Sequence, residues 1–318
     1  MLIAQLKDNV YRIGIPVPFP MKYVYCYLLK NEAGYTLIDT GLNYEKARVA
    51  WEEVFEDLHI SPNEIHTIIL THFHPDHSGM AGWLQQKTGA EVWMSSTDLE
   101  MFQLAFQKEV QSANVDELLA AHGVQEELRN AIHTNLTKIT NNVQPFAEIK
   151  PITKKEWNLD GREWQFIETP GHSQGHFCFY QEEDQILLAG DMILDEITPN
   201  ISLWPGGSKH PLNDYLESLN KLKGYSISEA WPGHGEVIHN VFQRIQELID
   251  HHQYRLHEIK ALAVNKSGFE ITDELFAERE LNAHQWRFAI SETLAHLEYL
   301  VDYQKIRRIH SVPYLYAK

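Results

Sequence analysis

The sequence has 318 residues, which is long enough for one large domain and a smaller one. Its hydrophobic content of 43% and mean hydropathy of -0.37 are typical of a globular protein, and no apolar run approaches the ~20 residues of a membrane span. The 44 acidic residues outnumber the 27 basic ones, and the resulting net charge of -17 repels polyanions such as nucleic acid. We therefore expect neither a membrane protein nor, by default, a nucleic-acid-binding one, although a local positive centre would still attract a polyanion.

The start of the chain has neither the basic segment nor the apolar core of a secretory signal, which favours a cytoplasmic location. The two cysteines, Cys26 and Cys178, each lie inside an aromatic strand pattern. We expect them to be buried structural thiols without a part in the chemistry.

The first part of the chain predicts a β-meander, then a helix, then a further strand. A Pro-rich turn at 16–20 joins the first two strands, and it is either a plain β-turn or a rigid apolar tip that overhangs a cleft. The predicted elements cover residues 10–15, 23–29, 35–39, 43–58 and 67–70.

Three imidazoles and a carboxylate follow the last of these strands within six positions. His72 and His74 lie two residues apart, so on an extended strand end they project to the same side. Pro75 ends the strand, and Asp76 and His77 fall where a helix would begin. Because a catalytic zinc ion typically takes about three protein ligands, four such side chains on one loop indicate a site for two ions, completed from elsewhere.

A helix over 79–88 and a strand over 91–95 lead into a segment, 97–142, that is helical throughout and offers no obvious ligand. Its His122 and His133 fit surface or packing positions better than ligand positions. We expect this insertion to lie over one side of the cleft and to select the substrate, either as a mobile lid or as a fixed wall.

Three later strand ends carry the missing ligand types. After an Asp-Gly hairpin over 157–166, His172 follows a Pro-Gly turn, Asp191 ends an apolar strand, and His234 follows a second Pro-Gly turn. A single Pro-Gly-His motif is usually a surface turn. Several ligand-bearing strand ends in order along the chain indicate a shared site instead, because strand ends meet at one edge of an α/β sheet. His176 is a rival ligand that alternates into the next strand.

The loop after Asp191 is close to the predicted site by connectivity. Its Trp204, Lys209 and His210 are candidates for substrate contact, and exposure without a role is the alternative. An amphipathic helix over 213–222 follows.

A domain boundary is predicted near His239, which divides the chain into residues 1–239 and 240–318. The second part is nearly neutral and predicts three helices and a hairpin, over 241–264, from Thr272 onward, over 282–299 and over 305–315.

Together, the motifs resemble those of the metallo-β-lactamase superfamily, and specifically of its glyoxalase-II-like branch with two metal ions. The resemblance spans residues 35–236 and includes the run His72 to His77, His172, Asp191, His234 and the stretch Leu37 to Gly41. It implies an α/β fold in the form of a four-layer αββα sandwich. The C-terminal part resembles the winged-helix-like tail of proteins near the beta-lactamase-like protein 2 group.

The resemblance also implies a role for each motif. One ion would be bound by His72, His74 and His172, the other by Asp76, His77 and His234, with Asp191 as a bridge. Asp39 would support the metal loop from behind. We expect zinc, with iron or manganese as alternatives, because this set of nitrogen and oxygen ligands accepts all three.

These roles predict a metal-dependent hydrolase that acts on a small molecule. A hydroxide bridging the ions would attack a thioester or carboxylic ester, and Asp76 would orient the hydroxide and carry a proton to the leaving group. The alternative is a phosphodiesterase or endoribonuclease of the beta-lactamase-like protein 2 type. A regulatory module with a vestigial site fits the complete ligand set poorly, and a flavodiiron-type reductase would have another carboxylate after His172 in place of Ser173 and Gln174. A homodimer remains open.

Overall fold

The computed structural model describes residues 2–107 and 110–318, and its first layer of strands is a seven-stranded sheet. Neighbouring strands pair antiparallel from β1 to β4 and parallel from β4 to β7. The strands are β1 (Leu2–Lys7), β2 (Val10–Pro16), β3 (Tyr23–Asn31), β4 (Gly34–Ile38), β5 (Ile65–Ile69), β6 (Glu91–Met94) and β7 (Ile149–Pro151).

The second layer of strands is a five-stranded sheet in the order β12-β11-β10-β9-β8. Its strands pair antiparallel from β8 to β11, and β11 pairs parallel with β12. They are β8 (Glu156–Asn158), β9 (Glu163–Glu168), β10 (Phe177–Gln181), β11 (Ile186–Gly190) and β12 (Glu229–Pro232).

Ten α-helices lie among the described residues, with a 3-10 turn at Pro62–Glu64 and a π-helical segment at Gln103–Gln107. Among these helices, none is both long and apolar enough to cross a membrane. The helices are α1 (Glu45–Asp57), α2 (Pro75–Ser78), α3 (Ala81–Thr88), α4 (Ser96–Phe102), α5 (Val110–Ala121), α6 (Glu126–Asn141), α7 (Pro211–Leu222), α8 (Val241–Leu262), α9 (Gly268–Leu275) and α10 (Ala283–Asp302).

The alternation of side chains along the strands produces the layered αββα architecture. In β3, Tyr25 and Tyr27 face a core between the two sheets, whereas Cys26 and Leu28 face a second core that α1 and α3 cover. Helices α7 and α8 cover the outer face of the five-stranded sheet in the same way. The predicted fold class is therefore confirmed, and both cysteines are buried free thiols.

The C-terminal part differs from its prediction in two details. After α8 the chain forms a strand, β13 (Val264–Ser267), which joins β14 (Arg307–Ile309) and β15 (Leu315–Ala317) in a small antiparallel sheet. The predicted helix start at Thr272 was wrong, because α9 begins at Gly268. Ser267 and Glu270 form a capping box that fixes this earlier start.

The predicted insertion and the C-terminal part share a hydrophobic core, which the sequence pattern did not indicate. Val115 and Leu119 of α5 and Ile132 of α6 belong to the same buried cluster as Ile290 and Leu294 of α10. We refer to α5, α6, α9 and α10 together as the cap. Because two segments distant in sequence bury one core, the cap is a packed layer and not an isolated loop.

Candidate metal centre

Four loops, each at the carboxyl end of a strand, bring the predicted ligands together. The loop after β5 carries His72 and His74, and Pro75 then occupies the first turn of α2, where a missing N–H costs nothing. The loops after β9, β11 and β12 supply the other strand-end ligands, which are His172, Asp191 and His234.

The seven side chains form overlapping groups whose nitrogen and oxygen atoms lie within 4.8 Å of one another. Asp191 is central, because its carboxylate lies 3.4 Å from His77 Nε2, 3.4 Å from His172 Nε2 and 3.7 Å from His234 Nε2. The groups are His72, His74 and His172; His72, His77 and Asp191; and Asp76, His77 and His234.

Hydrogen bonds donated by Nδ1 atoms orient three of the five imidazoles. His77 Nδ1 donates to Asp39 at 2.8 Å, His172 Nδ1 to the carbonyl of Asn200 at 2.9 Å and His234 Nδ1 to the carbonyl of Tyr23 at 2.8 Å. With the proton fixed on Nδ1, a neutral ring presents the Nε2 lone pair to the centre of the cluster, which is the form that binds a metal.

Several buried polar atoms at this centre have no hydrogen-bond partner in the described chain. They are His72 Nε2, His77 Nε2, His234 Nε2 and Asp191 Oδ1. Burying such atoms unpaired is unfavourable, and a cation among them would satisfy all four. Burial, and then the neighbouring imidazole His77, lower the pKa of His72 well below its usual value, which also favours the neutral ligand form. The residues therefore fit a divalent metal.

Asp39 lies behind the cluster, where its carboxylate contacts Thr71 and His77. It accepts hydrogen bonds from the backbone N–H and the hydroxyl of Thr71, both at 2.8 Å, in addition to the bond from His77. Its φ of 60° lies in the left-handed region, which an aspartate tolerates better than most residues. This backbone conformation is consistent with a local strain kept for function.

Glycine is required at one approach to the cluster. A Cβ atom at Gly233 would clash with Asp191 Oδ1 and would lie only 2.6 Å from the ring of His77. The Pro-Gly-His sequence thus lets the backbone pass close to the metal-binding atoms.

His176 has a supporting position and is absent from the groups that could bind a metal. Its Nδ1 lies 2.8 Å from the hydroxyl of Thr169, and its Nε2 accepts a hydrogen bond from the backbone N–H of Asp191 at 3.1 Å. His122 is buried against Tyr316, and His133 contributes to a cavity wall.

Asp98, in the first turn of α4, was missed by the sequence analysis. Its buried carboxylate accepts hydrogen bonds from Phe73 N at 3.0 Å, Ser173 Oγ at 2.6 Å and Gly175 N at 2.6 Å. It thereby joins the loop of His72 and His74 to the loop of His172. Burial raises its pKa to about 6, although these hydrogen bonds act in the opposite direction. An aspartate in a first helical turn is common for reasons of the helix dipole, so the sequence held no distinctive signal.

A cavity of about 660 Å³ lies above the cluster. The Pro-rich turn covers one side of it through Phe19 and Met21, in agreement with the overhanging alternative. The segment from Met101 to Phe106, helix α6 and the start of α10 form the other walls. Trp204 also lines the cavity.

His210 does not reach the cavity. It precedes α7, its side chain is 54% exposed, and its Nδ1 lies 2.5 Å from Asp302 Oδ2 at the end of α10. Lys209 beside it is exposed as well. Of the three predicted residues, Trp204 alone lines the cavity, because His210 is turned outward to pair with an acidic residue.

Two family models match the chain. The model of the metallo-beta-lactamase superfamily matches residues 20–234, and that of the metallo-beta-lactamase-like C-terminal domain matches residues 256–314. The chain belongs to the metallo-beta-lactamase superfamily, and it is a metal-dependent hydrolase. A solved structure of a metallo-beta-lactamase family protein from Thermus thermophilus is similar over 99% of this chain and 100% of its own, with a TM-score of 0.89 and 34% identity.

Curated relatives are more distant. A probable metallo-hydrolase, YqjP, of Bacillus subtilis is 28% identical over 92% of each chain. The beta-lactamase-like protein 2 homolog of Caenorhabditis elegans is 27% identical, over 87% of this chain and 79% of its own. An atrochrysone carboxyl ACP thioesterase of Aspergillus fumigatus is 25% identical, over 80% of this chain and 64% of its own.

Proposed function

We propose that this protein hydrolyses thioesters, or related carboxylic esters, of small molecules with the help of two divalent metal ions, for which zinc is the expected identity. The observation that carries the proposal is a seven-residue ligand cluster at the floor of a largely apolar cavity. Such a cavity suits an acyl group next to a polar reaction centre. The similarity to a relative named as a thioesterase supports the same reaction class.

The proposed ligand assignment follows the groups in the structure. His72, His74 and His172 would bind one ion, Asp76, His77 and His234 the other, and Asp191 both. When bound, such ions supply Lewis acidity and activate a water molecule at neutral pH. Hydrogen bonds from Nδ1 orient His77, His172 and His234, so little reorganisation of these ligands accompanies the reaction.

Asp76 has the position required for proton transfer. Its side chain is 15% exposed toward the cavity, and its Oδ2 lies 3.2 Å from His234 Nε2. Although burial opposes ionisation, the neighbouring imidazoles of His234 and His77 lower the pKa of Asp76, so its side chain is an ionised carboxylate that can orient a water molecule. We propose that Asp76 orients the water and passes a proton toward the leaving group. A thiol has a pKa of about 8.5, so a thioester needs little help from an acid at this step.

The walls of the cavity disfavour the alternative of a phosphodiesterase. Among its described lining residues, Arg287 is the only arginine or lysine. A polynucleotide is bound mainly by several cationic contacts to its phosphates, and the net charge of -17 adds long-range repulsion.

The proposal is tested by thiol release from a panel of acyl thioesters, with matched oxygen esters and a single-stranded RNA as further substrates. We expect metal-replete protein to cleave thioesters and lose activity after chelation, with recovery when zinc is restored. Cleavage of RNA without release of thiol would support the phosphodiesterase alternative. An absence of turnover from all substrates by fully metallated protein would contradict the proposal.

A further inference from the structure

One basic residue lines the cavity without a carboxylate partner. Arg287 lies in the second turn of α10 and is partly buried. Its Nε is inaccessible and makes no hydrogen bond within the described chain. No carboxylate of the described residues lies within 4.0 Å of its guanidinium.

The other partly or fully buried arginines are all paired. In each case a carboxylate lies no farther than 3.5 Å from the guanidinium, although the chain is so acidic that pairing would be easy everywhere. The paired residues are Arg12, Arg129, Arg162, Arg244, Arg255 and Arg308. The unpaired state of Arg287 is therefore a property of the cavity and not of the protein as a whole.

Aromatic rings hold the guanidinium of Arg287 in place. Its central carbon lies 4.1 Å from the ring centroid of Phe288 and 5.7 Å from that of Trp204. A guanidinium is planar and carries its five N–H donors around the edge, so ring contacts on its faces leave the donors of the two Nη atoms available. A fixed plane with free donors is suited to a flat or tetrahedral anion.

The positive charge of Arg287 is unfavourable at this position, because burial removes water from the guanidinium. Burial lowers the pKa of Arg287 to about 10, and the attraction of Asp76 offsets only part of this effect. Asp76 does not satisfy the guanidinium by contact, since the two form no ion pair. The fold therefore keeps a partly desolvated cation whose compensating charge must come from a bound molecule.

We propose that Arg287 binds an anionic group of the substrate, a carboxylate or a phosphate, and so makes the enzyme selective for anionic thioesters or esters. This inference rests on the proposed function for the bond that is cleaved, but the anion-binding site itself does not depend on it. It also gives the C-terminal part of the chain a direct role, because α10 brings the specificity residue to a cavity whose floor comes from residues 72–234.

The first test compares a thioester that ends in a free carboxylate with its methyl ester, which differs by one charge. Arg287→Met keeps an unbranched apolar side chain similar to the aliphatic part of arginine and removes the guanidinium with its charge. We expect kcat/KM for the charged substrate to fall about 10- to 100-fold, the worth of one charged hydrogen-bonded contact, mainly through KM. The methyl ester should change by less than about threefold, and Arg287→Lys should recover part of the loss. Arg279→Met, at an exposed position, is the matched control.

Equal losses on both substrates would overturn the proposal, because Arg287 would then only support the fold. A wild-type enzyme with no preference for the charged substrate would overturn it as well. Circular dichroism and metal content of each variant identify misfolding, and Arg287→Gln repeats the comparison with a polar side chain.

The second test measures binding and needs no turnover. Hexanoate, hexyl phosphate and hexanol share an apolar tail and differ in the head group, so titration calorimetry with metal-replete protein separates the two anion types. We expect at least one of the anions to bind Arg287→Met about tenfold more weakly than wild type, and hexanol to bind both alike. Equal anion binding by both proteins would overturn the inference. A loss of anion binding in a protein that cleaves no thioester would instead leave the inference standing and contradict the proposed function.

Discussion

The floor and the walls of the cavity are built in different ways. The floor consists of seven polar side chains on loops that leave the ends of β5, β9, β11 and β12, and its supporting bonds reach into the core of the sandwich. The walls consist mainly of apolar side chains from the Pro-rich turn, the segment 101–106, Val115, α6, Trp204 and α10. We therefore expect the sheets to fix the chemistry and the added segments to determine which molecule reaches it.

The two regions also differ in how they are stabilised. The walls bury apolar surface in a core shared by α5, α6 and α10, which stabilises the folded state directly. The floor instead buries polar atoms without partners, and a bound cation offsets that cost. Substitutions in the floor should therefore affect metal content, and substitutions in the walls should leave it unchanged.

The largest effect is expected for Asp191→Ala in the floor. Because Asp191 lies within 3.7 Å of three imidazole nitrogens, its loss should empty or halve the metal content and abolish hydrolysis. Metal analysis together with a thioester assay measures both. Full occupancy with a retained rate would contradict the two-metal assignment. His210→Ala is the control and should keep metal and activity, since His210 faces away from the cavity.

A smaller effect is expected for Asp98→Asn. Asp98 lies in α4 and its carboxylate connects two of the ligand-bearing loops of the floor. An amide keeps one acceptor oxygen but turns its NH₂ group toward a donor, so at least one of the three hydrogen bonds is lost. We expect a loss of about 2–3 kcal/mol in the free energy of unfolding and about 10- to 100-fold weaker metal binding.

Urea unfolding and a competition with a chelator measure these two quantities for Asp98→Asn. Asp116→Asn is the control. Asp116 is exposed and pairs with Arg129, so its substitution should cost no more than about 1 kcal/mol. Unchanged metal affinity in Asp98→Asn would separate Asp98 from the floor and leave it a role in stability only.

Phe106→Ala tests the walls alone. Phe106 lines the cavity and packs against Phe73, with ring centroids 6.2 Å apart, and against Phe102 at 5.2 Å. Its truncation should widen the cavity and shift the kcat/KM ratio of long to short acyl groups about tenfold toward the long ones, with unchanged metal content. A uniform loss for every acyl length would mean that Phe106 supports the floor instead.

The floor could be predicted from the sequence because each of its motifs is short and contiguous. His72 to His77 form one loop, and the later ligands each follow an apolar strand, so the gathering of strand ends predicted their meeting. Asp39 came from the resemblance, and its contact with His77 agrees with the role given to it. Asp98 supports the same loops, but it comes from a helix on which an acidic residue has an ordinary explanation.

The walls could be predicted only in part because they combine segments that are distant in the chain. Helical periodicity in 97–142 and 282–299 indicated buried faces, but it did not indicate that the faces bury each other. Trp204 and His210 were both predicted from their closeness to Asp191 along the chain, yet of the two only Trp204 faces the cavity. Closeness along the chain does not determine which way a side chain points. The sequence did not single out Arg287, because the net charge of residues 240–318 is close to zero and a net charge does not show which basic residue has no acidic partner.

The smallest effect is expected from the pH dependence of Glu292, which connects the two regions. Glu292 lines the cavity and accepts a hydrogen bond from Asn200 Nδ2 at 2.9 Å, and the carbonyl of Asn200 accepts the bond from His172. Burial raises the pKa of Glu292 to about 7, although Arg255 and this hydrogen bond oppose the shift. The imidazoles of His251 and His252 also lie beside it.

Because the pKa of Glu292 is raised in the folded state, that state keeps a proton that the unfolded chain loses near pH 4.5. The contribution of Glu292 to stability is therefore complete below pH 4.5 and lost as the pH rises to about 7. Glutamine cannot ionise, so the stability of wild type relative to Glu292→Gln should fall by about 1 kcal/mol between pH 5 and pH 8, less than the full shift implies because the cavity admits water. Urea unfolding of both proteins at the two pH values measures the difference in their free energy of unfolding. The titrations of all other groups are common to both proteins and cancel in this difference. A difference that stays constant with pH would mean that Glu292 is ionised throughout, and that Arg255 and Asn200 stabilise a carboxylate at the edge of the cavity.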